Sequence, residues 1–286
     1  MSIFPTRRLR VARGPWLESY GLLLPGLIFL AVFFVIPLCL TLMLSFTVPS
    51  LGLGHYRTLF FTSAYRRIFA NTFLLATLVT AVSLALGLPV AWFLAIAPRR
   101  WSQPVQLVLI LSMWTNLLAR TYAWVVLLQD TGPINQTLLA LHLIAEPLPL
   151  MNSLFAVTVG MTYIMLPFVV FPLRNRIAML EPALFQAATL CGASRMTSFR
   201  RIFLPAIATT LGSAGVSVFV MSLGYYVTPS LLGSESRMVL AELIAQLVQS
   251  VLDWGLAGAA ALVLLVMTLF LYGVQRRLNR QPHTTP

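Results

Sequence analysis

Lysine is absent from this chain of 286 residues, and acidic residues number only seven. All nineteen basic residues are therefore arginine. A P-loop needs a lysine on the nucleotide phosphates and Schiff-base chemistry needs a lysine amine, so both classes of enzyme are excluded. The three histidines, His55, His142 and His283, are scattered, and with so few acids they do not form the clustered set that a membrane hydrolase requires.

Cysteine is also scarce. Cys39 stands within an apolar run, and Cys191 stands within an arginine-rich stretch. Two cysteines in such different surroundings predict neither a disulfide framework nor a thiolate metal site. We therefore expect two unpaired thiols, no metal site, no catalytic residue and no cofactor bound by this chain.

Apolar residues are what the chain has in abundance. Hydrophobic residues make up 59% of the sequence, charged residues make up 9%, and the mean hydropathy is +0.88, which excludes a soluble globule. Six stretches without charge reach or nearly reach the roughly 20 residues that cross a hydrocarbon core of about 30 Å. We predict an all-α integral membrane protein with six transmembrane helices, near residues 20–46, 71–97, 105–128, 152–173, 206–228 and 254–275.

The formal net charge of +12 would ordinarily indicate a nucleic-acid partner, but the positions of the arginines favour a membrane. With the N-terminus inside, the outer loops hold only Arg57, Arg66, Arg67 and Arg237. The positive-inside rule then predicts that both termini are cytoplasmic, with the lipid bilayer rather than nucleic acid as a partner. The first apolar run is too long for a cleaved signal peptide, so we expect it to be retained as a span.

The longest inner segment, at about 174–205, is predicted to be structured. Pro182 at a first helical position and several alanines favour a short helix over 181–195 that ends near Gly192. A second short helix is expected over about 194–203. Small residues here would let another protein approach the backbone closely, whereas the alternative is a basic loop lying on lipid headgroups.

Within this loop, Gln186-Ala187-Ala188 is followed by Gly192, by Ile202 and by Leu204-Pro205. This pattern resembles the EAA motif of bacterial ABC importer permeases, whose loop forms coupling helices that dock into a cleft on a cytoplasmic ATPase. The family's leading Glu is Gln186 here, which keeps an acceptor oxygen but loses the charge. By this resemblance the ATPase-coupling loop comprises Glu181, Gln186, Ala187, Ala188, Gly192, Ala193, Ile202, Leu204 and Pro205.

Five further segments resemble the spermidine/putrescine (PotB-type) permeases: residues 114–116, 120–124, 132–135, 166–170 and 254–260. The resemblance implies a MetI-like ABC permease fold in the bacterial inner membrane and a solute that is a polyamine or a related small amine. It also implies three protein partners outside this chain: a cytoplasmic ABC ATPase dimer that uses ATP and Mg, a second, PotC-type permease and a periplasmic solute-binding protein. The expected division is a cytoplasmic basic segment at 1–18, a permease domain at 19–275 and a cytoplasmic tail at 276–286.

Charged and aromatic residues towards the outer side are candidates for the pathway. Arg120 should face protein or water, and we favour a pair with an outer acid such as Asp130 over contact with solute. Tyr225 and Tyr226 offer cation–π contacts to an ammonium group, although interface-belt tyrosines are the alternative.

The segment 235–253 is predicted to be an amphipathic helix. Its polar stripe would line the outer mouth, attract a cationic solute or meet a partner, and the alternative is the solvated face of an interfacial helix. The stripe consists of Glu242, Gln246, Gln249 and Asp253, opposite Leu240, Leu243, Leu247 and Val251, and Glu235 at the start of the segment is a further candidate for the outer mouth.

A stand-alone secondary carrier, or another polytopic membrane protein, is the competing interpretation. The predicted spans contain no acid for a proton relay, and the sequence shows no inverted-repeat halves, so a carrier is disfavoured. Among ABC permeases, a different small solute such as an aminophosphonate stays open.

Overall fold

The computed structural model describes residues 16–47 and 52–279, and within these ranges every regular element is a helix. The fourteen α-helices, in chain order, are α1 (Trp16–Leu30), α2 (Ile36–Thr47), α3 (Gly54–Phe61), α4 (Ser63–Ile96), α5 (Arg99–Trp114), α6 (Leu117–Leu128), α7 (Pro133–Ala140), α8 (Leu154–Ala178), α9 (Pro182–Leu190), α10 (Arg195–Ser198), α11 (Leu204–Leu223), α12 (Val227–Leu232), α13 (Leu240–Gln246) and α14 (Trp254–Asn279). Turns of π-helix, Ala31–Val35 and Phe199–Phe203, join α1 to α2 and α10 to α11. A third, Leu247–Val251, follows α13.

Five helical segments in the described part of the chain are long and apolar enough to cross a membrane. They agree with five of the six predicted spans. Their bounds are Leu23–Thr47, Ser63–Ile96, Leu154–Ala178, Arg195–Leu223 and Trp254–Arg276.

The prediction of one continuous third span over 105–128 is wrong. Helix α5 ends at Trp114 and α6 begins at Leu117, because Thr115 and Asn116 have extended backbone. The Asn116 side chain accepts a hydrogen bond from the Leu118 N–H at 2.8 Å and so caps the new helix. No glycine or proline marks this break, since the nearest proline, Pro104, lies in the second turn of α5.

The prediction of a separate short helix over 194–203 is also wrong. It begins as predicted, with the Ser194 hydroxyl accepting from the Thr197 N–H at 3.2 Å, but it continues through a π-turn into α11. The segment 199–203 contains no residue that stops a helix. The wider π-turn lies directly before Pro205, whose ring would otherwise crowd the preceding turn.

Helix α8 is the centre of the molecule. It packs against α4 on one side and against α11 on another, and α4 also contacts α11. Its fully buried side chains include Met161, Met165, Val169 and Val170. Gly87 of α4 allows the closest approach, since a Cβ at that position would lie 2.5 Å from Cγ1 of Val169.

The other elements are arranged around this three-helix centre. Helix α14 packs against α2 and α11, and the short helix α12 lies between α6 and α8. By contrast, the most apolar part of the first span, Leu23–Thr47, is not buried by the rest of the chain. Phe29, Phe33 and Phe34 are each more than 60% exposed. An apolar helical segment whose side chains its own chain leaves exposed needs lipid or another protein around it.

The substitution Gly87→Ala is expected to destabilise the chain, because its new methyl group overlaps Val169, which is fully buried. Overpacking of this kind costs about 1–3 kcal/mol. Gly212→Ala is the matched control, since a Cβ there meets no atom within 4 Å and alanine favours a helix. Thermal unfolding in detergent should show a lower Tm for Gly87→Ala only; equal Tm values for both variants would contradict the packing of α4 on α8.

Candidate functional site

The inner loop between α8 and α11 is built around α9. Pro182 occupies its first turn, as the sequence predicted, and the helix stops at Leu190. The Ala193 N–H donates to the Ala188 carbonyl at 2.9 Å and the Gly192 N–H donates to the Thr189 carbonyl at 3.0 Å, which is a Schellman motif. Gly192 has φ +78°, a left-handed conformation that favours glycine, and the predicted end of the helix near this residue is confirmed.

Helix α9 is not buried in its own chain. None of its residues is buried, and Gln186 and Ala187 of the helix are exposed, as is Glu181 directly before it. Large apolar side chains in and around the loop point outwards, with exposed fractions of 89% for Leu190 and 76% for Met179. A cluster of exposed apolar side chains on a helix marks a surface that binds another protein or a membrane.

A groove of about 780 Å³ lies between α9 and the base of the helix bundle. Its aromatic wall contains Trp92, Phe199 and Phe203, whose rings lie 5.3–6.4 Å apart, and Phe185 of α9 faces the same space. Phe203 is only 5% exposed and belongs to the core, Phe185 of α9 packs against that core, and Trp92 is 44% exposed.

The two ends of the loop are fixed to each other. Nε of Arg176, in the last turn of α8, donates to the Ala206 carbonyl at 2.9 Å at the start of α11. Of the remaining motif residues, Ile202 is half-buried in the π-turn, whereas Leu204 and Pro205 are exposed. The loop is therefore a surface helix held between two anchored ends.

Arg120 does not form the predicted pair with Asp130. Its Nη1 donates instead to the backbone carbonyl of Ser112 at 2.8 Å, across the break between α5 and α6. The break leaves this carbonyl without its usual helical donor, and Arg120 lies one turn into the next helix, within reach of it. Asp130 lies exposed beyond the end of α6.

The two tyrosines occupy the turn between α11 and α12. Tyr226 is 44% exposed, while Tyr225 is partly buried. Burial raises the pKa of the Tyr225 hydroxyl above its ordinary value, and the positive charge of Arg120 in the same region partly opposes the rise. Neither tyrosine forms a cation–π contact with an arginine among the described residues.

The predicted helical stripe over 235–253 is only partly formed. Leu240, Leu243 and Leu247 are buried as expected, but regular α-helix covers α13 alone and a π-turn follows it. The π-turn changes the spacing of the side chains, and Val251, predicted to be apolar and covered, is 59% exposed.

The polar members of the stripe are therefore divided. Gln246 and Gln249 are exposed, and Glu235 lies apart from them in an exposed 3₁₀ turn. After Leu252, which has left-handed backbone at φ +59°, Asp253 turns away to cap α14, accepting from the Leu256 N–H at 2.9 Å. Glu242 is partly buried on α13, and this burial raises the pKa of its carboxyl above the ordinary value, although a backbone hydrogen bond at Val239 partly opposes the rise.

Sequence reasoning missed the side chains that hold the segment 235–253 in place. Thr72 is 2% exposed, and its hydroxyl accepts from the Leu240 N–H at 2.8 Å. Next to it, Nδ2 of Asn71 donates to the Met238 carbonyl at 3.4 Å. The only sequence signal for these two contacts was a polar Asn-Thr pair in an otherwise apolar stretch.

No group of three or more histidine, cysteine or acidic residues that could hold a metal occurs in residues 16–47 and 52–279.

The fold is that of the membrane-spanning subunits of ABC transporters. A subunit of a bacterial ABC transporter involved in the import of the acidic polysaccharide alginate superposes with a TM-score of 0.69, at 24% identity over 92% of this chain and 96% of that one. A chain of the MetNI methionine ABC transporter superposes with a TM-score of 0.58, at 17% identity over 76% of this chain and 95% of that one.

Sequence comparison assigns the family within that class. The spermidine/putrescine transport system permease protein PotB of Salmonella typhimurium (strain SL1344) is 31% identical over 221 residues, which cover 76% of this chain and 77% of that protein. PotB of Escherichia coli (strain K12) is 30% identical over 76% of this chain and 80% of that protein. The inner membrane ABC transporter permease protein YdcU of the same strain is 28% identical over 243 residues. No protein-family model matches the chain.

The chain therefore belongs to the ABC transporter permeases related to PotB. It is a multi-pass membrane protein and a non-catalytic subunit. The resemblance found in its sequence motifs is confirmed at the level of the family.

The raised pKa of Glu242 predicts a pH-dependent stability. The pKa of the Glu242 carboxyl is higher in the folded chain than in the unfolded chain. Its contribution to stability is therefore fully present below the pKa of the unfolded chain, and it is lost as the pH rises through the pKa of the folded chain. We expect Glu242→Gln to raise the Tm at about pH 8 and to leave it nearly unchanged at about pH 4, where the wild-type carboxyl is protonated.

Thermal unfolding of the purified chain at the two pH values measures this effect. Glu146→Gln is the control, because Glu146 is exposed. An equal shift of Tm at both pH values for Glu242→Gln would show that burial of the carboxylate does not govern this site.

Proposed function

We propose that this chain is the permease subunit of an ATP-driven importer, forming the solute pathway and coupling it to a cytoplasmic ATPase. The observation that carries the proposal is α9, a surface helix with exposed apolar side chains, a sharp glycine end and no fully buried residue. The PotB relatives, whose name is that of a transport-system permease, support the same function.

The inner loop would serve as the coupling element. An ATPase dimer that closes on ATP and Mg would push α9, and the bond from Arg176 to Ala206 would pass this displacement to the inner ends of α8 and α11. Leu190 and its apolar neighbours would fill a cleft of the ATPase, with Gln186 and Glu181 at the rim. Gln186 would contribute a hydrogen bond there rather than a salt bridge.

The membrane arrangement follows from the same proposal. Helices α5 and α6 together would make the third of six crossings, with residues 19–275 as the membrane domain. Both termini, 1–18 and 276–286, would be cytoplasmic, since most arginines then lie on the inner side. The inner membrane is the location in the name of the relative YdcU.

The exposed first span supports a second permease subunit. Because residues 23–35 leave their apolar side chains exposed, a second permease of the PotC type would cover part of this surface and enclose the pathway. On the outer side, the segment 235–253 would lie where a periplasmic solute-binding protein delivers its solute.

The proposed solute is a polyamine, spermidine or putrescine, or a related small amine. Its support is the name of the PotB relatives together with the acids Glu235 and Glu242 and the tyrosines Tyr225 and Tyr226 in the outer half. Arg120 is the one specific observation in favour of a solute that also carries an anionic group, such as an aminophosphonate.

Gly192→Val should uncouple ATP hydrolysis from transport. Valine is strongly disfavoured at φ +78°, so the end of α9 must rearrange. We expect ATP-driven uptake in proteoliposomes to fall about tenfold or more, because a displaced coupling element loses its alignment with the ATPase. The ATPase rate should persist. Gly273→Val is the matched control, since that glycine is helical and a Cβ there meets no atom within 4 Å. Full uptake by Gly192→Val would exclude coupling through this loop.

The solute is tested through the partner protein. We expect a tag on this chain to co-purify an ATPase, a second permease and a solute-binding protein, and we expect that binding protein to bind spermidine or putrescine more tightly than aminoethylphosphonate by calorimetry. Tighter binding of the phosphonate would replace the polyamine assignment. Ion-gradient-driven uptake by this chain alone would instead restore the secondary carrier.

A further inference from the structure

The break between α5 and α6 leaves a buried carbonyl that the helix itself does not satisfy. In a continuous helix the Asn116 N–H would donate to the Ser112 carbonyl, four residues earlier. The extended backbone at Thr115, with ψ 141°, turns the chain away before that bond can form. Ser112 is only 5% exposed, so water has little access to its carbonyl.

Arg120 supplies the missing donor from the other side of the break. Its Nη1 lies 2.8 Å from the Ser112 carbonyl oxygen. The preceding carbonyl, that of Leu111, is already satisfied by both the N–H and the hydroxyl of Thr115, at 3.1 and 2.9 Å. Arg120 is therefore the side-chain link between the last turn of α5 and the first turn of α6.

Helix α6 is in turn joined to the segment that carries the two tyrosines. Thr121, the neighbour of Arg120, lies with its hydroxyl 3.4 Å from the hydroxyl of Thr228 in α12, and both residues are fully buried. Helix α12 begins directly after Tyr226. The charge of Arg120 also reaches the Tyr225 hydroxyl.

A guanidinium group has properties that suit this link. It carries a delocalised positive charge and has only donors, so it is suited to a carbonyl oxygen. Its planar fork has five N–H donors, and a hydrogen bond from a charged donor is stronger than one from a neutral donor. A lysine would keep the charge but would lose the planar geometry.

We propose that Arg120 is a positioning residue of the pathway: by bonding to the Ser112 carbonyl it sets the angle between α5 and α6, and through α6 and α12 it sets the place of Tyr225 and Tyr226. The role of the tyrosines in this inference rests on the proposed function. The angle between the two helices does not, because it is a property of the folded chain.

The test compares Arg120→Gln with Arg120→Lys and with the control Arg67→Gln, an exposed arginine elsewhere on the chain. Spin labels at Val108 and Val126, which are 63% and 50% exposed on α5 and α6, report the distance between the two helices. The labels are placed after Cys39→Ser and Cys191→Ser remove the two exposed free thiols. The complex purified with its native partners is used throughout.

Arg120→Gln is expected to broaden the distance distribution and to lower the maximal uptake rate about tenfold, because misplaced groups align poorly, while KM stays nearly constant. Arg120→Lys should recover part of both effects, and Arg67→Gln should match the wild type. If Arg120→Gln does not purify as a single species, the comparison of Arg120→Lys with Arg67→Gln decides the same question.

Two results would overturn the proposal. An unchanged distance distribution in both Arg120 variants would show that the guanidinium does not set the helix angle. A loss of uptake through a raised KM with unchanged distances would make Arg120 a solute-contacting charge instead. Absence of ATP-driven uptake in the wild type would refute the proposed function, and the distance measurement would still decide the positioning role.

Discussion

The absence of water in the hydrocarbon core is the constraint on which the rest of this structure depends. Every backbone N–H and C=O at that depth has to find a partner within the protein, and helices achieve this within one segment. At three places where the chain departs from a helix, a specific side chain supplies the partner. Arg120 satisfies the Ser112 carbonyl, Asn116 caps α6, and Thr72 receives the N–H of Leu240.

The same constraint explains how rigid and movable parts are combined. Helix α8 is buried on several sides and fixes α4 and α11 by close contacts such as that of Gly87 with Val169. Helix α9 lies at the surface of this centre, with no residue buried and only Phe185 packed against the core, and it ends in a Schellman motif at Gly192. A surface helix on anchored ends is a suitable place for another protein to act on the bundle.

Polar residues within the apolar segments have several functions that their spacing alone does not separate. Asp253 caps a helix, Asn71 holds an outer loop, and Arg120 bridges a break. Glu242 keeps a partly buried carboxyl whose pKa is raised by that burial, and a backbone hydrogen bond at Val239 opposes the rise only in part. The function of each of these polar residues is set by the groups that lie next to it.

Hydropathy and charge predicted the all-helical membrane class and five of the spans, Gly192 predicted the end of α9, and the motif resemblance predicted the family, because length, apolarity, a helix-ending glycine and a short motif are local properties. The break at Thr115–Asn116, the continuation of α10 into α11 and the division of the 235–253 stripe were decided by tertiary structure. Each depends on a group distant in sequence or on a π-turn that shifts the register. A sequence shows which residues are polar, but the fold decides which carbonyl or amide each of them satisfies.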